Sequence, residues 1–338
     1  MSSNKENRNE ETSKSRDETN NKTKKHLKEG KSSFNGLNGL FKNFKNRNIG
    51  NFFDKNYKKL MIIPFAFIIF SIIVLIISYA TTGEIIHKGI TLKGGISITL
   101  NKNLDISPEE LQSQLETLLP DADVIARIIR STSSQSYIIE AGIDESEADY
   151  FLDLVKQTIG ELKEDEYSLE TISSSLSENF FRQVLIALLL AFIMMGVVVI
   201  LYFKKIVPSV AVILSAVFDI IGTIAITNLL GMRISTAGIA GFLMLIGYSV
   251  DSDILLTTRL TKNKIGTIFE RTKDAFSTGI MMSLTTLIAI TIALILSSSD
   301  VIIQIMAIVF IGLIIDLMNT WLMNVGILRM HLEKKGDK

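Results

Sequence analysis

Apolar residues are distributed along this chain on two length scales. From Met61 to Ala80 they form a nearly unbroken run, about the 20 residues needed to cross a hydrocarbon layer as a helix. Five further runs of that kind follow, at Val184 to Phe203, Ile206 to Leu230, Ile234 to Leu256, Phe276 to Leu296 and Val301 to Leu322. The pattern therefore predicts six transmembrane helices. Most of their connections are very short, so neighbouring spans are expected to be antiparallel.

Between the first and second runs the period shortens. Ile90, Leu92, Ile96, Ile98 and Leu100 alternate with smaller or polar residues, which predicts a strand over Gly89 to Leu100. Ser107, Pro108, Glu109 and Glu110 supply a cap, a first-turn proline and first-turn acids for a helix ending near Leu119. Asp123 to Ile129 and Ser136 to Ala141 read as strands, Asp144 to Leu162 as a helix and Tyr167 to Ile172 as a last strand. The order β-α-β-β-α-β is that of a ferredoxin-like split βαβ unit. The expected fold is a polytopic α-helical membrane protein with six transmembrane helices and one α+β ferredoxin-like extracytoplasmic domain between spans one and two.

The chain divides accordingly into a polar tail (1–59), the first span (60–80), the α+β domain (81–180), a bundle of spans two to six (181–328) and a second tail (329–338). Up to about Ser33 the first tail is low-complexity and too poor in apolar residues to fold. Beyond it, Phe34, Leu37, Leu40, Phe41 and Phe44 recur at helical spacing around Lys42, Lys45 and Arg47. That pattern suits an amphipathic segment on an anionic lipid surface, or continued disorder.

Charge changes the picture by giving the bundle two sides. Formal net charge is zero, yet residues 1–59 carry 15 Lys and Arg against 7 Asp and Glu, while residues 81–180 carry 7 against 19. Basic residues cluster at Lys55, Lys58 and Lys59, at Lys204 and Lys205, between Arg259 and Lys273, and from Arg329 onward. All four groups fall on one side of a six-span chain, which the positive-inside rule makes cytoplasmic. Both termini are then expected in the cytoplasm of a multi-pass protein of the cell membrane, with the acidic domain outside. Such sidedness, rather than a basic stripe, argues against a nucleic-acid partner.

The chemistry on offer is narrow. There is no Cys, the three His are scattered, and Gly30, Lys31, Ser32 lacks the upstream glycine and strand of a phosphate loop. No nucleophile and base are paired, so neither an enzyme nor a bound cofactor or metal is expected. Four carboxylates within the runs stand out: Asp219, Asp251, Asp253 and Asp316. Placing one at the centre of a membrane helix costs about 2.5–3.5 kcal/mol on insertion scales. Asp251 shares a helical stripe with Ala240, Met244 and Gly247, and the small residues Ala237, Gly238, Ala240 and Gly241 suggest that this stripe is buried against a neighbour. A carboxylate there can alternate between protonated and ionised states, as ion-coupled transport requires. The alternative is that these Asp residues fix packing through Thr223, Ser249, Asn319 or Asn324.

Three strings carry a family resemblance. Gly247, Tyr248, Ser249, Val250, Asp251, Ser252, Asp253, followed by Ile254, Leu255, Leu256 and Arg259, resembles the fourth-span signature of SecF, a membrane subunit of the Sec protein-export machinery. Leu92, Lys93, Gly94, Gly95, Ile96 resembles the glycine pair after that family's first span, and Ser283, Leu284, Thr285, Thr286 its fifth-span Ser-x-Thr-Thr. Bacterial members read G-Y-S-x-N-D and carry an Arg where this chain has Thr278, so the combination is closer to archaeal SecF. The resemblance implies a non-enzymatic subunit that works with SecD, the Sec translocation channel, the translocating polypeptide and the lipid bilayer, and that is related to proton-driven RND exporters. Other readings open at this point are an RND-like transporter half for lipid or small solutes and a purely structural assembly subunit.

Overall fold

The computed structural model describes residues 56–336 apart from 103, 105, 121, 131–134, 263–264 and 298. The tail up to residue 55, its amphipathic segment and the Gly30 to Ser32 string lie outside the described residues. The first span is α1 (Ile62–Thr82), closed by Gly83 at φ 72°, whose N–H bonds the Tyr79 carbonyl at 2.9 Å. Its Ile side chains are largely exposed, as befits a lipid-facing surface, while Ser71 and Ser78 are buried.

The expected strand over Gly89 to Leu100 is not continuous. Ile90–Lys93 instead forms a single helical turn, α2, and only Gly95–Leu100 is extended, as β1. The physical reason lies at Gly94 and Gly95, with φ of 85° and 137°, values that side chains with a Cβ rarely adopt. A Cβ on Gly94 would sit 2.4 Å from Ser174 Cα, and one on Gly95 would sit 2.4 Å from the Ala141 carbonyl oxygen. Leu92, read as a strand position, packs instead with Ile234, Ile239, Phe242, Leu245 and Ile308 of the helical bundle.

After β1 come α3 (Pro108–Leu118), β2 (Val124–Arg130), β3 (Gln135–Ala141), α4 (Ala148–Ile159) and β4 (Tyr167–Ile172). Ser107 caps α3 by accepting the Glu110 N–H at 3.2 Å, with Pro108 in the first turn. The four strands form one antiparallel sheet in the order β2-β3-β1-β4. One face supplies Ile96, Ile98, Leu100, Val124, Ala126, Tyr137 and Ile139, which meet Leu111 and Leu115 of α3 and Phe151, Leu152 and Val155 of α4. The period-2 pattern on β1 and the helical spacing on α3 and α4 thus converge on a single core.

The sheet leads straight into the bundle. α5 (Ser174–Phe203) begins two residues after β4 and is followed by α6 (Ile206–Leu229), α7 (Thr236–Thr261), α8 (Ile268–Leu296) and α9 (Asp300–Met318). A six-residue π-turn, Asn319–Asn324, then carries the last span into α10 (Val325–Lys334). With α1, six helical segments among the described residues are long and apolar enough to cross a membrane. α8 starts eight residues before the apolar run because Thr267 and Glu270 form a reciprocal capping box, and the buried Arg271 donates to the Leu260 carbonyl at 2.9 Å. α6 and α7 are the most buried spans. Close approach of α7 to α9 depends on Gly241, where a Cβ would lie 3.3 Å from the Ile305 carbonyl, and on Gly312, where one would strike Leu245 at 2.4 Å.

The α+β domain is fastened to the loop between α6 and α7. Lys88 and Ile234 form a parallel bridge, in which Gly89 N–H donates to the Ile234 carbonyl at 2.9 Å and Ile234 N–H to the His87 carbonyl at 2.7 Å. Asn228 donates to the Ile85 carbonyl at 2.7 Å and to Ser78 Oγ at 3.2 Å. Asp123, at the start of β2, takes Arg233 at 2.7 Å and Lys93 at 3.1 Å. Burial opposes ionisation of Asp123, but the hydrogen bonds and charges of Arg233 and Lys93 outweigh it and hold its carboxyl below the ordinary 3.8.

Two outcomes follow. Gly95→Ala is expected to destabilise the detergent-solubilised protein by more than Gly231→Ala, read as the larger drop in melting temperature. Gly231 also has a positive φ, of 66°, but nothing stands within 4 Å of its would-be Cβ, leaving only about 1–2 kcal/mol of backbone strain. The ion cluster at Asp123 contributes fully above the ordinary carboxylate pKa and is lost as pH falls through the depressed value. Protection of the amides over Lys88–Lys93, taken relative to the intrinsic exchange rate at each pH, should therefore fall below about pH 4 and in high salt, and Arg233→Ala should produce the same loss of protection at neutral pH.

Candidate functional site

Asp219 sits 13 residues along α6 from Ile206, about 20 Å at the helical rise, and Asp253 lies 8 residues before the end of α7, about 12 Å from it. With Asp316 near the end of α9, these three side chains are completely buried where α6, α7 and the last span meet. Asp316 is the electrostatic neighbour of both others.

Every hydrogen bond these carboxylates accept among the described residues comes from a neutral group. Asp219 receives Ser249 Oγ on Oδ2 at 2.5 Å and Asn319 Nδ2 on Oδ1 at 2.7 Å. Asp253 Oδ1 receives Asn324 Nδ2 at 2.7 Å and Thr320 Oγ1 at 2.9 Å. Asp316 has Thr320 Oγ1 at 3.0 Å from Oδ1 and Ser252 Oγ at 3.1 Å from Oδ2. Asp253 Oδ2 has no hydrogen-bond partner among the described residues. Among those residues no three acidic or His side chains are disposed to hold a metal ion.

The π-turn makes this arrangement. Asn319, Thr320 and Asn324 all lie in it and all are buried. In an α-helix, residues five apart diverge by about 140°. In a π-turn the i→i+5 pairing brings them nearer to one face, and Asn319, Thr320 and Asn324 all reach the buried carboxylates. One turn of wide helix thereby supplies amide and hydroxyl donors to carboxylates on three helices. On the far side of the turn, Trp321 lies over Gly279, where a Cβ would be only 2.3 Å from its ring, and packs edge-on to Phe276 with centroids 5.0 Å apart.

The residues singled out in the sequence are distributed unevenly over this site. Asp219, Asp253, Asp316 and Ser249 are in it. Asp251 is not: it is exposed on this chain, as are Ala240 and Gly247 on the same stripe, with Met244 half-buried. The expected burial of that stripe is therefore corrected. The close packing of α7 uses Ala237, Gly238, Gly241 and Leu245, a different face, and Asp253, about 200° round the helix from Asp251, lies on the buried side. Tyr248 and Arg259 are also exposed. Ser283 is buried in α8, but Thr285 and Thr286 bond carbonyls of their own helix at Met281 and Met282. Gly94 and Gly95 belong to the domain junction rather than to this site.

Ser252 and Thr320 are members of the site that the sequence reading passed over. For Thr320 a signal existed, since Asn319, Thr320 and Asn324 are polar interruptions of an apolar span and Thr320 is four residues from Asp316. Of the four donors named from sequence, Ser249, Asn319 and Asn324 do reach the carboxylates, whereas Thr223 donates to the Asp219 backbone carbonyl at 2.6 Å.

Comparison with known proteins agrees with this architecture. Residues 153–334 match the family model described as protein export membrane protein SecD/SecF, C-terminal. The protein-export membrane protein SecF of Methanocaldococcus jannaschii is 39% identical over 291 residues, covering 82% of this chain and 96% of the relative. That of Pyrococcus furiosus is 37% identical over 284 residues, covering 83% and 93%. Among solved structures, the crystal structure of SecDF, a translocon-associated membrane protein from Thermus thermophilus, superposes with a TM-score of 0.66 at 18% identity. The superposition covers 83% of this chain and 38% of that longer one, and at that identity it shows the fold. The family match over α4 to α10 and the near full-length archaeal relatives together establish that the chain belongs to the SecF family of protein-export membrane proteins.

Proposed function

We propose that the chain acts, without enzymatic activity of its own, as the SecF subunit that works with SecD and the Sec channel to promote translocation or release of exported polypeptide, coupled to the ion gradient. One observation carries the coupling: three fully buried carboxylates from three helices are held, among the described residues, by neutral donors. Left ionised together they would repel one another in a medium without water, so the site favours taking up cations, and its paired hydroxyl and carboxyl oxygens at hydrogen-bonding distance suit protons.

The domain at 81–180 is ferredoxin-like in this reading, its β-α-β-β-α-β order and β2-β3-β1-β4 sheet supporting the assignment. It faces outward and both termini face the cytoplasm, in accord with the basic clusters at the opposite ends of the spans. There it meets the emerging chain. SecD supplies six further spans to complete a twelve-span unit, and the exposed stripe of α7 bearing Ala240, Gly247 and Asp251 is the face offered to it. Small residues there suit close helix contact, and Asp251 finds its partners across that contact.

Vesicles containing the co-purified complex separate the two carboxylates of α7. Asp253→Asn is expected to reduce both gradient-driven proton uptake and polypeptide export to background while leaving the complex assembled. Asp251→Asn should instead weaken recovery of SecD. Normal flux and export in Asp253→Asn would sink the ion-coupling reading, and absence of SecD and the channel from the purified native complex would sink the export reading.

A further inference from the structure

The contacts of Thr320 impose a condition on the site that the carboxylates alone do not. Its Oγ1 lies 2.9 Å from Asp253 Oδ1 and 3.0 Å from Asp316 Oδ1, both at hydrogen-bonding distance. A threonine hydroxyl has one hydrogen to give and two lone pairs to receive with. It can therefore donate to one carboxylate only, and the second contact is a hydrogen bond if the other carboxyl carries a proton and donates to Oγ1. The alternative, two buried anions separated by a single hydroxyl, leaves one of them facing an oxygen lone pair.

The remaining donors do not relieve this. Asp316 Oδ2 is served by Ser252, whose Oγ has a single hydrogen and also lies 3.1 Å from the Tyr248 carbonyl oxygen. Asp253 Oδ1 keeps the Asn324 amide in either arrangement. The titratable groups facing the pair are Asp219 from α6, Asp253 from α7 and Asp316 from α9; Asp219 accepts from Ser249 and Asn319 and also neighbours Asp316, whereas among the described residues Thr320 alone contacts both Asp253 and Asp316. The π-turn holds Thr320 in place, since Asn319 and Asn324 pin it on either side.

We propose that Asp253 and Asp316 share one proton through Thr320, and that this hydroxyl is the relay by which the proton passes between the fourth and sixth spans. In one state Asp253 donates to Thr320 Oγ1 and Thr320 donates to Asp316. Transfer breaks the Asp253 O–H bond, forms a new O–H bond on Thr320, breaks the old one and forms an O–H bond on Asp316. One proton has moved and no electrons are exchanged. Thr320 thus acts as a positioning and relay residue for the coupling site, and the inference rests on the ion-coupling reading above only for its use in transport.

Difference infrared spectroscopy of the full-length chain in lipid vesicles tests the shared proton directly, through the C=O stretch of a protonated carboxyl group near neutral pH. Wild type should show such a band, Asp274→Asn, at an exposed carboxylate of α8, should retain it, and both Asp253→Asn and Asp316→Asn should diminish it. Thr320→Val, which removes the hydroxyl at nearly constant volume, should shift the band and its pH midpoint, and Thr320→Ser should restore both. Absence of the band in wild type, or a band that ignores Thr320→Val, overturns the proposal. The wild-type measurement decides even if a variant fails to fold. A band that behaves as expected, with no proton flux through wild-type vesicles, supports the shared proton and overturns the coupling reading alone.

Discussion

The constraint on which the bundle depends is that a carboxylate placed among apolar helices must find its hydrogen bonds inside the protein. Asp219, Asp253 and Asp316 come from three helices and none has water-rich surroundings, so donors must be brought to them. Ser249 and Ser252 on α7 supply part of the set and the π-turn of the last span supplies the rest. Widening one turn of a membrane helix sacrifices regular backbone pairing, and the loss is offset because Asn319, Thr320 and Asn324 then act together. The close fit of α7 on α9 at Gly241 and Gly312 serves the same end by bringing the facing side chains within reach.

That constraint also explains why packing and chemistry are hard to separate here. The same Asn319 and Asn324 amides that hold the last span against α6 and α7 are ligands of Asp219 and Asp253. A proton arriving at the site changes the strength of helix-to-helix contacts, because a bond from an amide to an ionised carboxylate is stronger than one to its neutral form. Occupancy of the site and the fit of the bundle are two descriptions of one hydrogen-bonded network.

Much of the architecture was legible in the sequence because it rests on strong periodicities. Six apolar runs, the Ser107 cap with Pro108, and the alternation of Ile96, Ile98 and Leu100 all act locally and mark the observed elements, although α5 and α8 begin ten and eight residues ahead of their runs. The glycine pair at Gly94 and Gly95 suits a bend or a close backbone approach from sequence alone, but alternation continues through it and nothing local marks Ile90–Lys93 as a helical turn. The choice between Asp251 and Asp253 turned on which face of α7 is buried. Small residues occur on two adjoining faces, at Ala240 and Gly247 and at Gly238 and Gly241, and composition does not distinguish a face packed within the chain from one left for another subunit. The place of Thr320 depends on the wide turn at Asn319–Asn324, which no periodicity in the sequence announces.

The parallel bridge between Lys88 and Ile234 gives these parts a common lever. Ile234 is two residues before α7, and Thr236 at the head of that helix donates its N–H to Thr91 of the domain linker at 3.1 Å. Asp253 rides on the same helix, 17 residues or about 26 Å further on. The α+β domain is thus tied to the end of a stiff rod whose other half carries the carboxylate, so the coupling proposed above would join load outside the bundle and protonation within it through a single mechanical element.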